Sequence, residues 1–440
     1  MINIEFTPEK DGIVTGEENT FEVLLRASSN QKQPSGSTKK LPLNLALVLD
    51  RSGSMQGRPL EEAKKCAAML VDRMSENDML SVTTYDSRVD VIISTTKVVN
   101  KNLLKNKINQ INSGGTTALY DGWSIGAEQV AEFADNNSLS RVLLLSDGQA
   151  NHGLTDEETI TSHCGTMAEN GVTTSTYGLG PRFNENLMSA MATAGQGQSH
   201  YGQTADDLMD PFSEEFDLME AIIARRMRLQ VLPEVGVSFE LLNHYPTDRE
   251  GRFILPDLAY GADVWALLKI KVAKSLCEAA RGSSLRLLTS TIDFIDPDGN
   301  EVSTAPSVMT IELHSPDAYA ELTMDDTVRQ RSIELRAAML QQQAHLAARD
   351  GDWVRIDQIM EELEQLGKGN AWLKASIQRL RTYSQTRRRD DFSKEARYKS
   401  DRMRRRSVSR HEEMDSYSEA SESAQPSYLR RKLEQGKKQQ

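Results

Sequence analysis

The chain has 440 residues, a formal net charge of −12 and 38% hydrophobic residues. That length asks for two or three domains, the modest apolar share leaves part of the chain outside any core, and the negative charge argues against binding nucleic acid across the whole surface. The three cysteines, Cys66, Cys164 and Cys277, are widely spaced and form no CxxC pair, which argues against a disulfide framework or a zinc site and fits a reducing, cytoplasmic setting.

The N-terminal residues MINIEFTPEKDG lack the apolar core of a signal peptide, and no run of about 18 apolar residues offers a membrane span anywhere. Strand-like stretches at Ile2–Phe6 and Thr20–Leu25 precede a polar linker at 29–40, so residues 1–41 read as N-terminal strands and linker. Residues 41–50 (LPLNLALVLD) are almost continuously apolar, the pattern of a strand covered on both faces in a parallel sheet. Helical spacing follows over Pro59–Met74. Then come strand-like Met79–Tyr85 and Val89–Ser94, helices near 101–111 and 119–135, and a second apolar strand, Val142–Leu145, that leads to Asp147. A helix near 156–170, a strand at Val172–Tyr177, a helix near 184–194 and a last helix at 205–224 complete the alternation. It predicts a doubly wound α/β domain over residues 42–224.

Residues 225–316 change character. Strands read at Met227–Val231, Val237–Leu242, Arg252–Leu255, Val264–Val272, Leu285–Phe294 and Ser307–Leu313, separated by turn signals such as Asp-Pro-Asp-Gly, predict a β-sandwich. If the N-terminal strands pair into it, the α/β domain is an insertion in that sandwich. Residues 317–385 read as a helical hairpin or bundle, with Thr327–Arg349 and Trp353–Leu366 on either side of an Asp-Gly-Asp turn and a third helix at Lys374–Tyr383. Residues 386–440 read as a disordered charged tail; 387–410 hold 11 Lys/Arg against 4 Asp/Glu, and 411–425 are acidic and Ser-rich.

The chemistry concentrates in Asp50-Arg51-Ser52-Gly53-Ser54, just past the first apolar strand. In an open α/β sheet the loops at the carboxyl ends of strands form the ligand crevice. Asp147 ends the second apolar strand, and the loop SGGTTALYDG brings Thr116 and Thr117, with Gly114 and Gly115 giving it backbone freedom. The set offers hard oxygen ligands and no His or Cys, which suits Mg²⁺, with Mn²⁺ or Ca²⁺ as alternatives, and disfavours zinc. Two carboxylates and neutral hydroxyls just balance a divalent ion, so an open position stays electrophilic and a partner carboxylate is a natural last ligand.

Asp50-x-Ser52-x-Ser54, a threonine in a Gly-rich loop and Asp147 in Ser-Asp-Gly together resemble the metal-ion-dependent adhesion site (MIDAS) of von Willebrand factor A and integrin I domains. The resemblance covers about 170 residues and all five positions. With its β-rich flanks and helical C-terminal region, the chain looks similar to bacterial cytoplasmic proteins often labelled calcium-activated chloride channel-like. The resemblance implies a Rossmann-like domain that binds Mg²⁺ through Asp50, Ser52, Ser54, Thr117 (or Thr116) and Asp147, with a Glu or Asp of a protein partner as the sixth ligand. It implies partners such as AAA+ ATPases or kinase and phosphatase systems.

Around this set, Asp86 and Asp121 read as supporting or capping residues, His152 as an exposed loop residue, and Arg51 and Met55 as shaping the contact surface. An enzyme is the competing class. The strand-end Asp50 is superficially like the nucleophile of Mg²⁺-dependent phosphohydrolases, but those need a second Asp where Ser52 stands, and no phosphate-binding GxxxxGK[ST] loop is present. The Arg404–Ser409 stretch resembles a basic-directed kinase substrate, with Ser407 and Ser409 as acceptors. Residues 387–410 offer at most weak, salt-sensitive contact with nucleic acid. An ion channel has no physical basis without a span.

Overall fold

The structure is a computed structural model that describes residues 2–29, 41–147, 152–180, 183–202, 206–243, 245–279, 284–404 and 408–409. The chain opens with β1 (Ile2–Pro8), β2 (Ile13–Val14) and β3 (Asn19–Ser29). An α/β unit follows: β4 (Leu43–Asp50), α1 (Arg58–Arg73), β5 (Met79–Tyr85), β6 (Val89–Lys97), α2 (Lys101–Asn109), α3 (Leu119–Ala131), β7 (Leu139–Ser146), α4 (Glu157–Glu169), β8 (Val172–Leu179), α5 (Glu185–Ala194), β9 (Gln196–Gly202) and α6 (Asp206–Glu220). Its six strands are ordered β6-β5-β4-β7-β8-β9. All pairs are parallel except β5–β6.

Because β4, β7 and β8 are buried along their whole length, they need cover on both faces. One face packs Leu45, Leu47 and Leu143 against Leu70 of α1 and Phe212 and Phe216 of α6. The other packs Ala46, Val48 and Leu144 against Trp123 of α3, Ile160 of α4 and Met191 of α5. The doubly wound expectation holds. Strand β9 was not anticipated: QGQSHYG lacks the β-branched run and apolar alternation by which a strand is read. The helix expected at 205–224 stops at Glu220, and Ile222 already belongs to the next strand.

A sandwich follows, from β10 (Ile222–Pro233), β11 (Val237–Leu241), β12 (Phe253–Ile254), β13 (Leu258–Ala259), β14 (Ala262–Val272), α7 (Lys274–Ala279), β15 (Ser284–Ile295), β16 (Glu301–Ser303) and β17 (Ser307–His314). One of its sheets runs β1-β3-β14-β11 and the other β12-β10-β15-β17-β2. Thus β3 pairs with β14 from Asp263↔Ser28 to Val272↔Asn19, across a chain separation that encloses the α/β unit. The two inner faces share a core that includes Val23, Leu25, Ala266 and Leu268 from one sheet and Leu229, Leu287, Ile292 and Ile311 from the other.

The last segment holds α8 (Pro316–Glu321), α9 (Asp326–Asp350), α10 (Trp353–Leu366), α11 (Ala371–Gln385), α12 (Arg389–Arg404) and β18 (Val408–Ser409), which pairs with β14. Helix α9 ends at Gly351, whose φ of 72° is the left-handed cap that glycine favours. Helix α12 corrects the expectation of a disordered tail from residue 386. Phe392, Ala396, Ser400 and Met403 recur at intervals of about one turn and are buried, and Ser400 Oγ donates to the Ala338 carbonyl of α9 at 2.7 Å. Residues 410–440, Ser407 and the linker at 30–40 lie outside the described residues. Helix α12 also touches the α/β unit, where Lys394 Nζ donates to the Phe183 carbonyl at 3.2 Å and stands 4.5 Å from that ring's centroid. His345 of α9 joins Ser393 Oγ at 2.9 Å to Asn186 Oδ1 of α5 at 3.2 Å. No helix among the described residues is long and apolar enough to cross a membrane.

Candidate metal centre

The site begins with strand adjacency. β4 lies between β5 and β7, with Asp50 opposite Tyr85 and Leu49 opposite Leu145. The chain leaves β4 and β7 at the same, carboxyl, edge of the sheet, so the carboxylates of Asp50 and Asp147 face one crevice. A short 3-10 turn, Gly53–Met55, then bends the first loop back over the strand ends before α1 begins.

One hydrogen-bond chain connects the oxygens. Ser146 Oγ donates to Asp50 Oδ2 at 2.7 Å, and the Ser52 backbone N–H donates to Asp50 Oδ1 at 2.8 Å. Ser52 Oγ and Ser54 Oγ are 3.1 Å apart, and Ser54 Oγ donates to Asp147 Oδ1 at 2.7 Å. Asp50 is fully buried and Asp147 is 7% exposed. Burial pushes the Asp50 carboxyl up to about 6, with the Asp147 charge acting in the same direction and the bonds from Ser52 and Ser146 opposing it. The Tyr85 phenol, buried beside Asp50, is raised well above its ordinary value by burial and by the Asp50 charge. A divalent cation among these oxygens would relieve that crowding of negative charge.

The threonine loop joins the first loop through backbone: the Gly114 N–H donates to the Arg51 carbonyl at 2.7 Å, and the Gly53 N–H to the Gly115 carbonyl at 3.0 Å. Thr117 is 4% exposed, whereas Thr116 faces solvent. Asp50, Ser52, Ser54 and Asp147 are therefore joined by hydrogen bonds, and Thr117 sits on a loop laced to theirs. Among the described residues no group of three or more His, Cys, Asp or Glu could hold a metal ion. The donors present here are two carboxylates and several hydroxyls, the chemistry of a hard cation.

Two surrounding residues differ from expectation. Met55 is fully buried in the core under α1 rather than on the contact surface, because an unbranched apolar side chain in a short turn gains most by turning inward. Arg51 is folded against Asp86 (Nε to Oδ2 3.1 Å) and Asp90 (Nη2 to Oδ2 2.5 Å) instead of projecting outward. Burial would raise the Asp86 carboxyl, but the Arg88 backbone N–H and the Arg51 guanidinium outweigh it and hold it low. His152 is exposed, as read. A Cβ on Gly153 would lie 3.1 Å from Asp121 Oδ2, so Asp121 borders the loop that follows Asp147. Ser146 was missed by sequence reasoning; its signal was its place before Asp147, at the end of a wholly buried strand where a hydroxyl needs a partner.

Residues 44–214 match the sequence model of the von Willebrand factor type A domain. An uncharacterised protein of Synechocystis is 34% identical over 203 residues, covering 46% of this chain and 47% of that one. The chain spans less than half the length of the first curated relatives it matches. A solved von Willebrand factor type A structure from Catenulispora acidiphila superposes with a TM-score of 0.66 at 13% identity, over 86% of this chain and 88% of that chain. The ArnB paralog VWA2 from Sulfolobus acidocaldarius does so with a TM-score of 0.61 at 16% identity, over 92% and 98% respectively. At those identities the likeness is one of fold, and it extends well beyond the α/β unit.

Proposed function

Given that residues 44–214 form a von Willebrand factor type A domain, we propose that the chain is a metal-ion-dependent protein-binding module. In this reading Asp50, Ser52, Ser54, Thr117 and Asp147 hold Mg²⁺, with Mn²⁺ or Ca²⁺ as alternatives. The ion supplies an electrophilic position that takes a Glu or Asp side chain of a protein partner. The observation that carries the reading is the unbroken chain from Ser146 through Asp50, Ser52 and Ser54 to Asp147 at the carboxyl ends of β4 and β7. Asp50 and Asp147 balance the ion's charge, while neutral hydroxyls complete the shell without quenching it. A partner carboxylate exchanging for water then gains a charge-assisted contact in a partly dehydrated crevice.

No catalytic residue is part of this reading. A phosphohydrolase of the strand-end aspartate type would need a second carboxylate where Ser52 stands. The three buried, unbridged cysteines fit a reducing compartment, and we take the cytoplasm as the setting.

The test is capture from native lysate with the wild-type chain in Mg²⁺, the wild-type chain in EDTA, and Asp50→Ala in Mg²⁺. A protein retained only by the first supports the reading, and substituting its exposed acidic residues should then abolish retention. Equal capture in all three conditions would move the binding surface away from the metal.

A further inference from the structure

Resting on that metal reading, we propose that Arg51 and Asp86 form a positioning pair that sets the site's affinity for the ion without touching it. The pair ties together three segments. Arg51 lies between Asp50 and Ser52 on the first loop, Asp86 follows β5, and Gly114–Thr117 precede α3. Arg51 Nε stands 3.1 Å from Asp86 Oδ2. The Arg51 backbone N–H donates to the Tyr85 carbonyl at 2.9 Å, and its carbonyl accepts from the Gly114 N–H at 2.7 Å. The Asp86 carbonyl accepts from the Ala118 N–H, the residue after Thr117, at 2.8 Å.

Asp86 is itself clamped. Its Oδ1 accepts the Arg88 backbone N–H at 2.8 Å, and its own N–H donates to the Arg88 carbonyl at 2.9 Å. Gly114 comes so close that a Cβ built there would lie 1.9 Å from Asp86 Oδ2, and one on Gly115 would lie 2.7 Å from Ser87 Oγ. These two glycines are therefore needed for close approach, and neither has the positive φ that would require glycine on conformational grounds. The loop that carries Thr117 can take this position only while the Asp86 carboxylate keeps its own; the Arg88 N–H holds one of its oxygens, and the Arg51 guanidinium faces the other at ion-pair distance, without a hydrogen bond from Nε. Mg²⁺ tolerates little departure from octahedral geometry. A small shift of Thr117 relative to Asp50 and Ser52 therefore costs affinity even though every ligand remains. Outer partners of metal ligands commonly change affinity by about 10- to 100-fold.

The experiment is calorimetric titration of the full chain with Mg²⁺ alone, alongside thermal midpoints in EDTA. The variants are Arg51→Ala, Asp86→Asn, Asp86→Ala, the double variant Arg51→Ala/Asp86→Ala, Gly114→Ala, and Asp50→Ala as the ligand control. Glu215→Gln serves as a destabilised variant remote from the site. We expect each single change at the pair, and Gly114→Ala, to weaken Mg²⁺ about 10-fold or more, while the double variant is no weaker than its worse parent. The loss should exceed that of Glu215→Gln at a matched thermal midpoint. Asp86→Asn, which keeps an acceptor, should lose less than Asp86→Ala. Wild-type affinity in Arg51→Ala and Gly114→Ala, or losses that simply follow the midpoint in EDTA, would overturn the pair's role. If the wild-type chain itself bound no Mg²⁺, the metal reading would fall first and take the pair with it. Should Asp86→Ala not fold, Arg51→Ala and Gly114→Ala probe the same contact from its other two sides.

Discussion

Asp50 combines full burial, a neighbouring carboxylate and two hydrogen-bond donors on the same oxygens that a cation would use. Without a cation its carboxyl sits at about 6, above an unfolded value near 3.9. The sign of the resulting pH effect follows. Metal binding requires the ionised form, so Mg²⁺ affinity should fall as pH drops through about 6 and level off above it. The metal-free fold has the opposite dependence: its stabilisation from the proton is fully present below the unfolded value and is lost as pH rises through about 6. Added Mg²⁺ should therefore raise the thermal midpoint more at pH 8 than at pH 5, and Asp50→Ala should remove that difference. A Mg²⁺ response independent of pH across this window would contradict the assignment of Asp50. These residues were legible because their spacing, Asp50-x-Ser52-x-Ser54, is local. The inward turn of Met55 and the folding of Arg51 onto Asp86 were not, because each depends on a surface supplied by another segment.

Helix α6 shows what an element contributes beyond its own periodicity. It carries Glu215, a fully buried carboxylate that accepts from Ser175 Oγ, the Tyr177 hydroxyl, Arg141 Nη1 at 3.0 Å and His200 Nε2 at 2.9 Å. Burial alone would raise its pKa; His200 and Arg141 outweigh that and hold it at about 2. Arg141 reaches onward to Asp257 at 3.4 Å, near the start of the sandwich, and Arg73 of α1 donates to Ser213 Oγ at 2.8 Å. Removing one partner from a buried ion pair leaves the other uncompensated, so Glu215→Ala should lose about 3–5 kcal/mol in urea unfolding. A loss below about 1 kcal/mol would show that water reaches Arg141 readily. None of this could be read from DDLMDPFSEEFDLME, in which Glu215 looks like one more acid of an amphipathic helix. Helix α12 escaped sequence reading for a related reason. Its buried stripe of Phe392, Ala396, Ser400 and Met403 offers two small side chains and two large ones amid a dense run of charge, too little apolar area to signal a core.

At the scale of the molecule, the α/β unit is inserted in the sandwich and the C-terminal helices lean on both. Leu24, Trp265 and Leu267 of the sandwich pack with Val328 and Leu335 of α9, while Ser393 and His345 reach α5 and Lys394 reaches Phe183 just before it. Ending the chain at residue 388 should therefore do more than remove a tail. It would expose Ala338, Ala344 and His345 of α9 and remove the α12 contacts on Phe183 and Glu185. Backbone amides at 185–194 should exchange with solvent faster in the shortened chain, as hydrogen-exchange mass spectrometry would report; unchanged protection there would show that α12 merely rests on the α/β unit. The sequence by itself determined the α/β alternation, the sandwich strands after residue 225, the helical hairpin and the identity of the oxygen-bearing loops, because periodicity, turn chemistry and short motifs are properties of neighbouring residues. Only the tertiary structure decided that β1 and β3 close the sandwich around the insertion, that α12 is a packed helix, and that Arg51 folds onto Asp86, because each depends on contacts between segments far apart in the chain, whose stability comes from surfaces that exist only once both partners have folded.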